Sequence, residues 1–407
     1  MCCSRVGQGF APTHRYVDNC YGRSVQSLNP PYTNRVMLDR EPFLKAIIDR
    51  PEDDLPRLVY ADFLEETGDE ARAEFIRVQC ELARLHVDDP MRAALAIREA
   101  ELLGNREAWI IPGMVATTQK FRRGFVESME TTAAAFVQFA EVIFAATPLQ
   151  HLRAVNPDNP VEQFVRIEHL ARLSSLDVSN GRSATVHRIL SEAPLANLRR
   201  LAARNCRIWP EGLANLAQLP AVARLQALDL AGNLLSDAGV ETLASHRNFA
   251  GLISLILRSD EQAEEYCIHE LGARTLAESR TLGKLEVLDL GGNYLGDRGF
   301  LAIADAANFS EIRELNLADN DIRIWPGSGY ETLLRAPSWA NLQRLNLSRN
   351  HIDLEAVPGL VHWIRRKKGR ILVLERIVHS AETRQLLLSI PEAASMILDR
   401  DFDEESN

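Results

Sequence analysis

The chain has 407 residues, of which 46% are apolar and 25% charged, and its formal net charge is −10. A chain of this length exceeds one compact core, so we expect two regions of ordinary globular composition. The acidic balance argues against a nucleic-acid binder, which needs clustered lysine and arginine, and no apolar run approaches the about 18–20 residues of a membrane span.

The cysteines give no sign of a metal or disulfide framework. They form no C-x-x-C pair and no zinc-ligand spacing, and the first thirty residues contain no apolar segment of signal-peptide length. We therefore expect reduced thiols, a cytoplasmic location, and neither metal nor cofactor.

The N-terminal 36 residues are polar and irregular, and we expect residues 1–36 to be a disordered extension. Met37 stands directly before the first patterned segment, which suggests that it is the physiological start.

A helical region follows over 37–110. Pro42 suits the first turn of a helix that runs to about Arg50, and three further helices are predicted before residue 110.

The segment Glu41–Asp69, E-P-F-L-K-A-I-I-D-R-P-E-D-D-L-P-R-L-V-Y-A-D-F-L-E-E-T-G-D, and the following E-F-I-R-V-Q-C-E-L at Glu74–Leu82 carry a specific signature. Together they resemble the small bacterial repeat-companion domain, over residues of about 38–86. The segment R-R-G-F-V at Arg122–Val126 is similar to the join between that domain and its repeats. The resemblance implies that repeats come next in the chain and implies no established activity.

The helical region is rich in carboxylates. Asp54, Asp62 and Glu66 are candidates for an acidic site, which keeps open an enzyme or an enzyme's regulatory subunit. The structural alternative is helix-dipole stabilisation by Asp54, a solvated face at Glu66, and an ion pair between Asp62 and Arg57 that anchors adjacent helices. We favour the structural alternative.

Residues 111–148 connect the helical region to the periodic part of the chain. The segment Phe121–Met129 has strand character, and Ala133–Ala146 is a strongly apolar helix. Because a repeat array must cover the apolar edge of its first repeat, we interpret this unit as an N-terminal cap.

Residues 149–375 are periodic. Leu225, Leu228, Leu230 and Asn233 stand at the offsets of a leucine-rich repeat, and the pattern resembles the ribonuclease-inhibitor-like class. Eight copies align on one marker leucine each: Leu152, Leu176, Leu201, Leu228, Leu255, Leu288, Leu315 and Leu345. The predicted fold class is α/β, a leucine-rich-repeat solenoid of about eight copies preceded by a small all-α domain.

Each copy has a turn residue five positions after its marker, and an asparagine there bonds the backbone of the turn. The first two copies are degenerate, with Pro157 and Gly181. The other turn residues are Cys206, Asn233, Asp260, Asn293, Asn320 and Asn350. The fifth and seventh copies are longer, which places insertions within Glu261–His269 and near Trp325–Gly327 as protruding loops.

The last copy ends in a helix at about 355–366 and a strand at 371–374. The basic run Arg365–Arg370 is either a patch for an acidic partner or, as we favour, a helix C-terminus. Residues 376–407 are expected to form a capping helix, over about 381–398, and an acidic tail.

Side chains that flank the inward leucines point to the concave face of the predicted solenoid. The central column is Arg153, Asp177, Ala202, Asp229, Ile256, Asp289, Asn316 and Asn346, and the second column is Val155, Ser179, Arg204, Ala231, Arg258, Gly291, Ala318 and Ser348. The candidate binding residues are Asp177, Arg204, Asp229, Arg258, Asp289, Asn316 and Asn346.

The pattern indicates a non-catalytic protein that binds a protein or peptide. The small residues of the second column are expected to leave the middle of the ladder open, beside the acidic insertion that begins at Glu261, for a partner with basic groups. The alternative is that these outward positions only confer solubility. The sequence contains no phosphate loop, nucleophile elbow or zinc helix.

Overall fold

The computed structural model describes residues 31–86, 88–104, 109–110, 118–260, 264–325, 339–353, 356–367, 369–375 and 396–398. Most of the N-terminal extension, most of the predicted C-terminal helix and the acidic tail lie outside these ranges.

Four helices form the N-terminal region: α1 (Pro31–Asp49), α2 (Leu55–Glu66), α3 (Glu70–Arg84) and α4 (Met91–Leu102). Helix α1 does not begin at Pro42, as predicted, but at Pro31, so the expected boundary at residue 36 falls inside it. The ring of Pro42 costs this helix one backbone hydrogen bond, because proline has no N–H to donate to the preceding turn. The helix continues through it nonetheless.

A β-hairpin joins the helices to the rest of the chain. Strands β1 (Thr118–Arg122) and β2 (Phe125–Thr132) pair antiparallel across a turn in which Arg123 and Gly124 both have positive φ. A Cβ on Gly124 would lie 2.9 Å from the Ile76 Cα, so only glycine lets the hairpin tip approach α3 this closely. Phe125 then enters the helical core. Helix α5 (Ala133–Ala146) follows β2, with the bounds that the sequence predicts.

A buried ion pair fixes this junction. Arg57 on α2 is fully buried and donates to Glu127 Oε1 on β2 at 2.6 Å, and also to the carbonyls of Pro51 and Arg123. Burial raises the pKa of the Glu127 carboxyl, against the opposing effect of the surrounding guanidinium groups. The expected pair between Arg57 and Asp62 is wrong: Asp62 lies on the exposed side of α2 and pairs with Arg77. Five residues of helix turn the two side chains to different faces.

Beyond the hairpin, strands and helices alternate. The strands are β3 (His151–Val155), β4 (Ser175–Asp177), β5 (Arg200–Ala202), β6 (Ala227–Asp229), β7 (Ser254–Ile256), β8 (Val287–Asp289), β9 (Glu314–Asn316), β10 (Arg323–Ile324), β11 (Arg344–Asn346), β12 (His351–Ile352), β13 (Ile371–Leu374) and β14 (Met396–Leu398). Strands β10 and β12 pair with each other, and all the others form one sheet.

The sheet is parallel from β2 onward, and its order follows the chain. Each of the eight marker leucines lies opposite the next, from Leu152 to Leu345. The same row extends to Met129 on β2 and to Leu372 on β13. The periodicity of the sequence therefore corresponds to strand register.

One helix follows most strands: α6 (Val161–Phe164), α7 (Ser183–Glu192), α8 (Pro210–Ala217), α9 (Ser236–Ser245), α10 (Glu270–Ala277), α11 (Gly296–Asp305) and α12 (Val357–Arg365). The marker leucines and the apolar side chains of these helices share one continuous core. The sheet is thus covered on one side, and we call the side opposite the helices the open face.

The C-terminal end of the sheet differs from the prediction. Met396–Leu398, expected to be helical, is strand β14 and pairs parallel with β13. A bare edge strand presents unpaired backbone groups, and β14 satisfies those of β13. Arg370, in the predicted basic run, is buried, stacks on Trp363 and donates to the carbonyls of Leu342 and Trp339. This arginine holds the last copies together and is not part of a surface patch.

We expect Arg57→Met to lower the free energy of unfolding by about 3–5 kcal/mol, because it leaves Glu127 charged and buried. Arg77→Met, which breaks only exposed ion pairs, should cost about 1 kcal/mol or less. The double variant Arg57→Met/Glu127→Leu should recover most of the loss. Urea denaturation measures all three, and equal losses for the two single variants would contradict the assignment.

Candidate functional site: the open face of the sheet

The central column lies in register on the open face. Arg153, Asp177, Ala202, Asp229, Ile256, Asp289, Asn316 and Asn346 are cross-strand neighbours in that order. Their side chains alternate with the buried marker leucines along each strand, so each is partly exposed while its neighbour is in the core. The structure thus brings the predicted column together.

The acidic and amide side chains of this column have a local structural role. In each case Oδ1 accepts the backbone N–H two residues later. The pairs are Asp177 with Ser179, Asp229 with Ala231, Asp289 with Gly291, Asn316 with Ala318 and Asn346 with Ser348, at 2.9–3.1 Å. These are Asx turns, whose sequence signal is an Asp or Asn two residues before the chain turns. The sequence alone could therefore have predicted this structural role, whereas the sequence-based prediction assigned these residues only to binding.

The small residues of the second column do not leave the ladder open as predicted. Ala231 and Ser348 are buried, at 7% and 5% exposure. A Cβ on Gly291 would lie 3.1 Å from Asn316 Nδ2 and 3.2 Å from Asp289 Oδ1. The central side chains lean toward the turn to make their Asx bonds, and they cover the second column.

Arginines neutralise the acidic residues at the N-terminal half of the face. Arg204 Nε is 2.7 Å from Asp229 Oδ2, and Arg204 Nη2 is 3.7 Å from Asp177 Oδ2. Arg153 lies between Asp177, at 3.5 Å, and Glu130, at 3.4 Å. Burial raises the pKa of Asp229, while the Ala231 N–H and Arg204 act in the opposite direction. The charge of Arg204 is therefore shared between the Asp177 and Asp229 carboxylates.

The C-terminal half of the face keeps free charge. Among the described residues, Asp289 has no cationic partner within 4 Å; its Oδ1 accepts from Gly291 N and from Asn316 Nδ2, at 2.9 Å each. Asn316 and Asn346 add amide groups on the next two strands. Arg258 is occupied by Asp260 at 3.4 Å. Among the central-column carboxylates in the described ranges, Asp289 therefore differs from Asp177 and Asp229 in having no cationic partner.

The turn asparagines are buried and join neighbouring copies. Asn233 Oδ1 accepts from the backbone N–H groups of Cys206 and Ile208, and its Nδ2 donates to the carbonyls of Ala203 and Leu230, all at 2.8–3.0 Å. Asn293 and Asn350 make equivalent bonds to the backbone of their own and neighbouring copies, whereas Asn320 donates its Nδ2 to the Leu290 and Ala318 carbonyls and its buried Oδ1 accepts no hydrogen bond among the described residues. Cys206 replaces asparagine and donates its thiol to the Arg204 and Val178 carbonyls.

Asp260 departs from this pattern. Its side chain is 57% exposed and pairs with Arg258, because an unpaired carboxylate would be costly to bury in the turn. The chain instead returns after the insertion and buries Cys267, whose Sγ is 3.3 Å from Ser259 Oγ. The end of the insertion also folds back, and the Tyr266 ring contacts the Trp209 ring. The described part of the insertion, from Glu264 onward, therefore packs back onto the third copy and does not protrude as predicted, whereas residues 261–263 lie outside the described residues. The second insertion lies largely outside the described residues.

The carboxylates of the helical region do not converge on one site. Asp54 is largely buried and lies between Arg84, at 3.0 Å, and Arg123, at 3.6 Å, whereas Asp62 pairs with Arg77 on the surface of the helices. Glu66 is exposed at the end of α2. In the described ranges no group of His, Cys, Asp and Glu side chains is arranged to hold a metal ion.

Comparison with known proteins supports the repeat assignment. A family model for leucine-rich repeats matches residues 225–244, 284–304 and 340–357, in the fourth, sixth and eighth copies. The chain therefore contains leucine-rich repeats. No curated protein matches the sequence. In the part of the chain that the structure describes, each helix is too short or too polar to span a membrane.

Two solved structures show partial similarity to this chain. An internalin from Listeria monocytogenes is 18% identical, with a TM-score of 0.34, over 55% of this chain and 67% of its own. The leucine-rich-repeat ectodomain of the Arabidopsis receptor kinase HAESA, in complex with an N-terminally extended IDA peptide hormone, is 15% identical, with a TM-score of 0.28. That match covers 51% of this chain and 35% of the ectodomain, so this chain spans about a third of its length.

We expect Asn233→Ala to lower the free energy of unfolding by at least about 3 kcal/mol, because four buried backbone groups lose their partners. Asp260→Ala, at the exposed turn residue of the next copy, should change it by about 0.5 kcal/mol or less. Chemical denaturation of both variants measures the difference. Similar values would show that the turn asparagine does not tie the copies together.

The buried thiols should be unreactive in the folded protein. Burial raises the pKa of the Cys80 and Cys206 thiols to about 11 each, so both are protonated at pH 8. Iodoacetamide at pH 8, followed by peptide mass spectrometry, should label both residues only after unfolding in guanidinium chloride. Rapid native labelling of Cys206 would contradict its burial in the turn and reveal an activated thiol.

Proposed function

We propose that this chain is a non-catalytic cytoplasmic interaction protein that binds a protein or peptide on the open face of its leucine-rich repeats. Repeats of this kind form extended binding surfaces because they stack into a long ladder. Adjacent strands lie about 4.8 Å apart, so eight copies present roughly 35–40 Å of sheet, enough for a standard protein interface. The N-terminal region is proposed to be a repeat-companion domain of bacterial type.

One observation carries the location of the site: Asp289 keeps a carboxylate without a cationic partner among the described residues, while Asp177 and Asp229 are neutralised by Arg153 and Arg204. The binding centre is therefore Asp289 with Asn316 and Asn346, on strands β8, β9 and β11. An unpaired carboxylate flanked by amides fits a partner that presents Lys or Arg, because a cation there gains charge-assisted hydrogen bonds. Arg258 marks the edge of this centre.

Asp289→Asn tests the proposal without disturbing the fold, since an amide oxygen can still accept from Gly291 and Asn316. The immobilised full chain is compared with this variant in capture from native lysate, with quantitative mass spectrometry of the retained proteins. We expect retention of a specific partner to fall about tenfold or more, as for loss of one buried charge pair at an interface.

The matched control is Glu241→Gln, which makes the same charge change on the exposed surface of helix α9. This variant should retain the partner as well as the unmodified chain does. Equal retention by all three proteins would refute the open-face centre.

A further inference from the structure

Four aromatic rings form a strip along one edge of the sheet, at the ends of the strands. Trp209 and Tyr266 meet edge to face, with ring centroids 5.2 Å apart. His269 and Tyr294 stack at 6.1 Å, and only Cys267 and Ile268 separate His269 from Tyr266 in the chain. We call Trp209, Tyr266, His269 and Tyr294 the rim strip.

The strand-to-helix loops of three copies supply these rings. Trp209 and His269 are the N-cap residues of helices α8 and α10, and Tyr294 stands two residues before α11. The 3₁₀ turn Glu264–Tyr266, at the end of the insertion, reaches back past the fourth copy to bring Tyr266 onto Trp209. The insertion that the sequence pattern placed at the rim thus completes the strip.

The core does not require these rings. Ile208, Ile268 and Leu295, each next to a strip residue in the chain, already fill the interior and are at most 2% exposed. Trp209 and Tyr294 remain 45% and 40% exposed. Exposed tryptophan and tyrosine are the residues that most often dominate binding energy at protein interfaces.

Three exposed carboxylates, Glu211, Glu264 and Glu265, lie beside the rings. Glu264 is 70% exposed, and the nearest basic group among the described residues is the His269 imidazole, whose Nε2 is 3.8 Å away. Glu211 and Glu265 are exposed, and among the described residues neither has a cationic partner within 4 Å. Arg207 is the opposing charge closest in the chain to Trp209. A surface of aromatic rings and unpaired carboxylates is complementary to cationic side chains, which stack on the rings and pair with the carboxylates.

We infer that the rim strip docks an extended basic segment of the partner protein. Side chains on one side of such a strand are about 6.6–6.8 Å apart, and three copies of about 4.8 Å each separate Trp209 from Tyr294. Two Arg or Lys side chains that are two such steps apart lie over these rings, and neighbouring ones pair with Glu264 and Glu265. This inference rests on the proposed function and gives the partner a second contact beside the one at Asp289.

The probe is the peptide Ac-(Arg-Ala)5-NH2, titrated into the full chain with calorimetric detection; its citrulline counterpart has the same shape without the charge. We expect Trp209→Leu to weaken binding of the arginine peptide about fivefold, as for loss of a cation–π contact. Glu264→Gln/Glu265→Gln should weaken binding by a similar factor, and the citrulline peptide should bind at least about tenfold more weakly.

The matched control for charge is Glu241→Gln/Glu278→Gln, with the same loss of charge on the helical side, and it should bind as the unmodified chain does. Tyr294→Leu is a second aromatic variant, should Trp209→Leu fail to fold. The inference is overturned if the aromatic variants bind unchanged, if both double variants weaken binding equally, or if the citrulline peptide binds as well.

The Asp289→Asn variant separates this inference from the proposed function. It should bind the arginine peptide normally, because the rim strip is intact, yet lose the native partner. If Trp209→Leu loses the peptide while Asp289→Asn still captures the partner, the rim strip stands and the open-face centre fails. If Asp289→Asn loses the partner and Trp209→Leu keeps the peptide, the open-face centre stands and the rim strip fails.

Discussion

The buried turn asparagine is the interaction on which the stacked copies depend. Where a strand ends and the chain turns toward its helix, backbone N–H and C=O groups of two adjacent copies are shielded from water. Asn233, Asn293 and Asn350 supply both acceptor and donors, so each satisfies groups in its own copy and in the preceding one. This bonding fixes the position of each copy relative to its neighbour along the strand direction, and therefore the register of the marker leucines.

That register decides the chemistry of the open face. Because the strands are in register, arginines of one copy reach carboxylates of the next, as Arg153 reaches Asp177 and Arg204 reaches Asp229. Charge is thereby cancelled around Asp229, whereas Asp289 has no cationic partner among the described residues. In the N-terminal half of the open face the carboxylates are therefore paired with arginines. In the C-terminal half the Asp289 carboxylate has no such partner among the described residues.

The hairpin of β1 and β2 links this sheet to the helical region in one packed unit. Its tip inserts Gly124 and Phe125 between helices α2 and α3, and Glu127, two residues further along β2, receives Arg57. An ion pair of this kind is strongly destabilising when one partner is removed, because the remaining charge stays buried. The helical region is thus held against the first strands of the sheet.

The sequence by itself determined the features that repeat over short distances. The leucine spacing predicted the strand register, the asparagines predicted most turns, and apolar spacing predicted the bounds of helix α5, because each leaves a periodic or local pattern in the sequence. Only the tertiary structure decided which charges meet. Several carboxylates of the helical region are close to Arg57 in the sequence, yet Arg57 pairs with Glu127, which is 70 positions away. Arg204 reaches Asp229, and Tyr266 reaches Trp209, for the same reason: strand stacking and the path of an insertion set these distances, and local pattern does not encode them.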